Sequence, residues 1–174
     1  SCKTYGKVSV LHTGIIKDEN DNIQVNYISG MVGLMDGTAD YTNTLVVTNC
    51  ENHADMDVRN PSVEALGGIF GYRFSKKYMY LTIDGCKNYG NITYSCDTDG
   101  FRCAIGGVVG KIVENSAIKD AQGKFYVNIT NCENGKSGAE STVSSKGKYY
   151  CVGGVAGWIS GVSMTGCKNY GSVY

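Results

Sequence analysis

The sequence predicts an all-β repeat protein, a β-solenoid or β-helix-like stack of about four repeats. Three observations predict it. A cysteine phrase recurs five times: Cys2-Lys3-Thr4-Tyr5-Gly6, Cys50-Glu51-Asn52, Cys86-Lys87-Asn88-Tyr89-Gly90, Cys132-Glu133-Asn134-Gly135 and Cys167-Lys168-Asn169-Tyr170-Gly171. A glycine phrase alternates with it: Ser29-Gly30-Met31-Val32-Gly33, Gly67-Gly68-Ile69-Phe70-Gly71, Gly106-Gly107-Val108-Val109-Gly110 and Gly153-Gly154-Val155-Ala156-Gly157. Between them lie short apolar runs without helical periodicity. Self-similarity at a fixed spacing is the signature of stacked units that bury their apolar faces only against one another.

Taken in order, the strand candidates are Val8–Val10, Leu45–Thr48, Tyr78–Ile83, Lys124–Ile129 and Tyr149–Val152, all rich in β-branched and aromatic residues. Asp36-Gly37, Asp84-Gly85, Asp99-Gly100 and Asn134-Gly135 read as turns. Pro61–Leu66 is the best helix candidate, and it is too short to build on. About three strands are expected per repeat. Gly-Gly-h-h-Gly (h, hydrophobic) reads as a corner against which the next layer packs closely.

A second order lies above the first. Successive repeat cysteines are 48, 36, 46 and 35 residues apart, so long and short intervals alternate. Cys-Lys-Asn-Tyr-Gly belongs to the odd phrases and Cys-Glu-Asn to the even ones. The chain reads as one domain, residues 1–174, holding two repeat pairs at about 1–84 and 85–174. The same phrase opens and closes it, and the expectation is a segment of a longer array.

Composition narrows the function classes. Lys plus Arg equals Asp plus Glu at 16 each, without a basic patch, which speaks against nucleic acid as a partner. No run approaches the ~18 apolar residues of a membrane helix. Eight cysteines, no Cys-x-x-Cys and only two histidines point to an oxidising, extracellular setting and away from zinc. Two sequons, at Asn91 and Asn128, fit N-glycans if the source is eukaryotic.

Each repeat cysteine closes an apolar run. Cys50, Cys86, Cys132 and Cys167 therefore read as a ladder of small buried side chains. Asn52, Asn88, Asn134 and Asn169, two places on, read as a ladder of turn-forming amides, with Thr4 departing from it. Cys96, Cys103 and Cys151 lie off the ladder. Cys103 and Cys151 precede successive Gly-Gly pairs, which favours a Cys103–Cys151 disulfide over Cys96–Cys103. Asp97-Thr98-Asp99-Gly100 and Asp18–Asn22 are the two places where weak Ca2+ binding competes with a solvated turn; the first lacks the closing Glu of a calcium loop. No cofactor is called for. No phosphate loop or Gly-x-Ser-x-Gly occurs, and a Cys–His nucleophile pair with His12 or His53 has no counterpart in the other repeat pair. Tyr5, Tyr89 and Tyr170 recur at one position, as a packed row or a sugar-stacking face.

The combination of Gly-Gly-h-h-Gly with h-x-x-Cys-x-Asn-x-Gly resembles the GLUG-motif repeats of large bacterial surface proteins, some immunoglobulin A peptidases among them. The resemblance runs along essentially the whole chain. It implies an extracellular, cell-surface spacer or adhesive stalk, and it brings no peptidase activity, since His-Glu-x-x-His is missing. The alternating repeat lengths and the three extra cysteines depart from the pattern. The expectation is thus a non-enzymatic structural or adhesive module whose partners are flanking repeats or other copies, head to tail. A carbohydrate-binding surface protein is the alternative, and a polysaccharide-processing β-helix enzyme the rival from another class.

Overall fold

The computed structural model describes residues 1–11, 18–21, 25–37, 44–75, 79–96, 102–113, 118–139, 141–146 and 150–174. Their regular structure is all strand. The chain makes successive circuits that visit the same sheets in the same order. The opening circuit gives β1 (Lys3–Thr4), β2 (Lys7–Leu11), β3 (Asn26–Ser29) and β4 (Val32–Gly37). The next gives β5 (Thr44–Thr48), β6 (Glu51–Asn52), β7 (Asp55–Arg59), β8 (Val63–Gly67) and β9 (Phe70–Ser75). Then come β10 (Tyr80–Asp84), β11 (Lys87–Asn88), β12 (Ile92–Ser95), β13 (Cys103–Gly106) and β14 (Val109–Val113). After these follow β15 (Val127–Thr130), β16 (Glu133–Asn134), β17 (Thr142–Lys146), β18 (Tyr150–Gly153) and β19 (Ala156–Ser160). The chain closes with β20 (Ser163–Thr165), β21 (Lys168–Asn169) and β22 (Ser172–Val173).

These strands form five parallel sheets: β1-β6-β11-β16-β21 (sheet I), β5-β10-β15-β20 (II), β2-β7-β12-β17-β22 (III), β3-β8-β13-β18 (IV) and β4-β9-β14-β19 (V). This is the arrangement of a β-helix or β-solenoid. A full circuit contributes five strands where the sequence suggested about three, because two-residue strands such as β6 carry no periodicity to detect. Two further expectations give way. Pro61–Ser62 is a turn, held by Asn60 Oδ1 accepting from the Ser62 N–H at 2.8 Å, and Val63–Leu66 already belong to β8. Asp36-Gly37 ends β4 instead of forming a turn.

Period-two alternation sends one face of each strand inward. In β10, Leu81 and Ile83 are buried, while Tyr80, Thr82 and Asp84 face outward. Two apolar clusters result. One is supplied chiefly by sheets II and V with Cys50, Cys86 and Cys132. The other comes from sheets III and IV, with Met56, Ile92, Tyr94, Ile105 and Val143 at its centre.

The glycine phrase is a reversal between sheets IV and V. A β-carbon on Gly106 would strike the Val109 carbonyl of its own turn. One on Gly110 would stand 2.8 Å from the Leu66 nitrogen, so the third glycine lets the backbone of sheet V lie on that of sheet IV. The middle glycine serves the asparagine ladder. A β-carbon on Gly68 would meet Asn88 Oδ1 at 2.5 Å, and Gly107 is confined in the same way by Asn134. The two phrases of the sequence are therefore two sides of one contact.

Candidate functional site

Sheet I and its flanks carry four parallel columns of side chains. The first is the cysteines. The Glu51, Lys87, Glu133 and Lys168 N–H groups donate to the carbonyls of Cys2, Cys50, Cys86 and Cys132 at 2.8–2.9 Å, which sets these cysteines one above another. Cys86 and Cys132 are wholly buried. The Cys50 thiol is pushed up by burial, and that of Cys132 by its hydrogen bond with Cys86 and by burial. Cys50 and Cys132 are therefore poor nucleophiles, while the same hydrogen bond to Cys132 lowers Cys86.

The second column is charged and alternates in sign: Lys3, Glu51, Lys87, Glu133, Lys168. Lys3 pairs with Glu51 at 2.8 Å and Lys87 with Glu133 at 3.2 Å. Like charges directly opposite on neighbouring strands are destabilising. The two-repeat period of the sequence is thus the period of this column.

Third come the amides. Thr4 Oγ1 donates to Asn52 Oδ1 at 2.6 Å. Asn52 Nδ2 donates to Asn88 Oδ1, Asn88 to Asn134 and Asn134 to Asn169, at 2.7–2.8 Å. Every donor points the same way along the stack. Asn52, Asn88 and Asn134 are fully buried, whereas Asn169 is exposed on the last layer. Thr4, the departure in the sequence, keeps its place in the chain of hydrogen bonds.

The fourth column follows the amides by one residue: Tyr5, His53, Tyr89, Gly135, Tyr170. Their N–H groups continue one ladder, with His53 donating to Thr4 O, Tyr89 to Asn52 O, Gly135 to Asn88 O and Tyr170 to Asn134 O. Tyr5 stacks on His53 with ring centroids 4.7 Å apart, and His53 lies 4.9 Å from Tyr89. His53 Nε2 lies 2.9 Å from Glu51 Oε2. At Gly135 the row has no ring. A recess of about 310 Å3 opens there, lined by His53, Tyr89, Gly135, Lys136, Ala139 and Ser141.

The remaining sequence candidates fall elsewhere. Cys103 and Cys151, the pair expected to form a disulfide, lie on adjacent strands β13 and β18 of sheet IV. Register sets Cys103 opposite Tyr150 and Ala104 opposite Cys151. The one-residue offset sends Cys103 inward and leaves Cys151 exposed. Cys103 instead shares an apolar cluster with Cys96, the second pairing weighed from sequence. Asn91 is exposed, its amide donating to Asp55 at 3.1 Å and accepting from the Thr142 N–H at 3.0 Å. Asn128 is half-buried and donates to the Phe125 carbonyl at 3.0 Å. Asp97–Gly100 and His12 lie outside the described residues. Asp18 forms an ordinary turn, accepting from the Asn20 N–H, and among the described residues no group of three or more His, Cys, Asp or Glu gathers to hold a metal.

Sequence reasoning found the cysteine and asparagine columns. It did not single out the recess, nor the row in which Lys111 sits 5.5 Å from the Tyr72 ring and 4.8 Å from the Trp158 ring. The signal for the recess was present as the one even phrase reading Asn134-Gly135 where the other reads Asn52-His53.

Comparisons with family models, with characterised proteins and with solved structures find no match to this chain. Among the described residues, no helix is long and apolar enough to cross a membrane.

Proposed function

We propose that this chain is a non-enzymatic, extracellular structural or adhesive repeat module, with about four repeats, that continues end to end with flanking repeats or other copies of itself. The observation that carries the reading is the unbroken register of the columns up to both end layers. The amide chain begins with Thr4 and ends at exposed Asn169, whose Nδ2 donates to its own Gly171 carbonyl at 2.8 Å. One end thus offers an acceptor and the other a donor, which suits a head-to-tail contact. Such heterologous contacts yield rings or open filaments. The edges of β1–β4 and of β18–β22 carry unpaired backbone groups and exposed Tyr5, Leu11, Tyr170 and Tyr174, a template for further pairing.

The rival enzymatic reading needs carboxylates converging on a cleft. The shallow groove over sheet III holds two, and both are engaged. Asp57 pairs with Lys7 at 3.8 Å and with Arg59 at 3.3 Å, and Asp55 accepts from Asn91. Resemblance to the GLUG-motif repeats and the exposed sequon at Asn91 support a cell-surface setting. Light scattering across a concentration series tests the assembly. Elongated particles several chains long are the expected result, and a monomer at every concentration would count against the reading.

A further inference from the structure

We propose that the gap in the aromatic column at Gly135 binds a hexopyranose ring, stacked on Tyr89 and hydrogen-bonded by Ser141 and Lys136. This stands apart from end-to-end assembly and is tested without it.

The column sets the geometry. Parallel strands lie about 4.8 Å apart, so Tyr89 and Tyr170, two layers from each other, leave about 9.6 Å between them. A ring entering at the Gly135 layer would lie about 4.8 Å from Tyr89, matching the 4.7 and 4.9 Å that already separate Tyr5, His53 and Tyr89. The chain widens here to make room. Between Asn134 and Val143 it spends eight residues, against three between Asn88 and Ile92, the partners in register. Gly135 turns out at φ 76° and Gly138 at φ 80°, and a Lys136–Ala139 bridge closes the small loop that walls the recess. Its volume of about 310 Å3 is at the lower end of small-ligand sites, the size for one sugar residue.

Ser141 is an independent sign of a ligand. It is 2% exposed, and its Oγ has no hydrogen-bond partner among the described residues. Ser141 lines the recess, and that oxygen lies 3.0 Å from where a β-carbon on Gly135 would stand. Buried polar groups are almost always satisfied, and an exception calls for an explanation. A ring hydroxyl supplies one. Exposed Lys136 on the rim adds a second donor and favours a uronate carboxylate over a neutral sugar. A pyranose has both an apolar C–H face for Tyr89 and hydroxyls for Ser141 and Lys136. An aromatic side chain of a peptide offers only the first of these in full.

The test is a nuclear magnetic resonance titration of the 15N-labelled 174-residue chain with methyl β-glucopyranoside, glucuronate and N-acetyltyrosinamide. Saturable shifts at Gly135, Lys136 and Ser141 with either sugar, at millimolar concentration, are expected. Tyr89→Leu should weaken binding about tenfold, and Ser141→Ala several-fold. Ala139→Arg plugs the recess from an exposed position without touching the core, and it should abolish the shifts while leaving the rest of the spectrum intact. A response to N-acetyltyrosinamide alone would replace the sugar by a peptide aromatic and overturn the proposal. Unchanged sugar binding in Ala139→Arg, or no saturable shift with either sugar, would overturn it too.

Discussion

At Asn88 three hydrogen bonds meet in a dry interior: Nδ2 donates to Gly90 O and to Asn134 Oδ1, and Oδ1 accepts from Asn52. Truncation leaves buried partners unsatisfied, which costs more than the bonds themselves contribute. Asn88→Ala should therefore destabilise by about 3 kcal/mol, read as a lower urea midpoint at unchanged slope. Asn169 occupies the same position of the repeat but is exposed, and Asn169→Ala should cost about 1 kcal/mol or less. Equal losses at the two sites would show that burial is not what makes the amide column matter. The cysteines divide in the same way. Cys2 and Cys151 are exposed, Cys167 is intermediate, and Cys50, Cys86, Cys96, Cys103 and Cys132 are buried. A thiol-reactive disulfide reagent applied to the native protein should label Cys2 and Cys151 fast and the buried five only on unfolding. Rapid labelling of Cys86 or Cys132 would contradict the packed column. The amide column was legible from Cys-x-Asn because identical small polar side chains at one repeat position must stack. For Cys103 and Cys151, standing in adjacent layers is not the same as sharing a face. A single residue of offset decides the face, and no feature of the sequence fixes that offset.

Among the elements, sheet I and the strands beside it hold the titrating contacts. Glu51 is held below the usual carboxylate range by hydrogen bonds from Lys3 and His53, Asp84 by Thr130 and Asn131, and Asp120 chiefly by the Tyr80 hydroxyl. For a depressed carboxylate, stability is complete above the unfolded pKa and is lost as pH falls through the folded one. The acid limb of the stability profile should therefore begin near pH ~4. Tyr80 moves the other way, pushed up to about 12 by its hydrogen bond to Asp120. Its contribution is complete below pH ~10 and declines as pH rises toward the folded value. Lys3 and Lys87, raised by Glu51 and Glu133, add to that alkaline limb. Thermal melts across pH should show a plateau with both limbs, and Tyr80→Phe should shrink the alkaline one and, by removing the main hydrogen bond to Asp120, part of the acid one. An unchanged alkaline limb in this variant would exclude the Tyr80–Asp120 contact as its source. Strands β2, β5 and β10 were legible because their alternation is long enough to see. The two-residue strands of sheet I were not, since two residues show no alternation and their place is dictated by stacking of the charged and amide columns they carry.

At the scale of the whole molecule, the long and short intervals differ in connectors and not in strands. The chain spends 14 residues between β2 and β3 but three between β7 and β8, while β2 and β7 keep register and β3 shifts against β8 by one residue between Asn26 and Tyr27. Charge follows the same two-repeat period, and charge bears directly on assembly. The first layer presents Lys3 and the last presents Lys168, so one copy stacked on the next in register sets two ammonium groups opposite each other where the column elsewhere alternates. The aromatic and amide columns favour the contact, and this one position opposes it. Lys168→Gln removes one ammonium of that pair without setting a carboxylate opposite Glu133, and it should tighten self-association. Salt should promote self-association of the native form more than that of the variant. Raising ionic strength from about 0.01 M to 1 M shortens the screening length from ~30 Å to ~3 Å, which relieves the like-charge pair in the native sequence and has little to relieve in the neutral variant. Sedimentation at matched concentrations reads both effects. If neither the substitution nor salt moves the distribution of sizes, the end layers do not meet in register, and axial stacking of copies is excluded as the route of assembly.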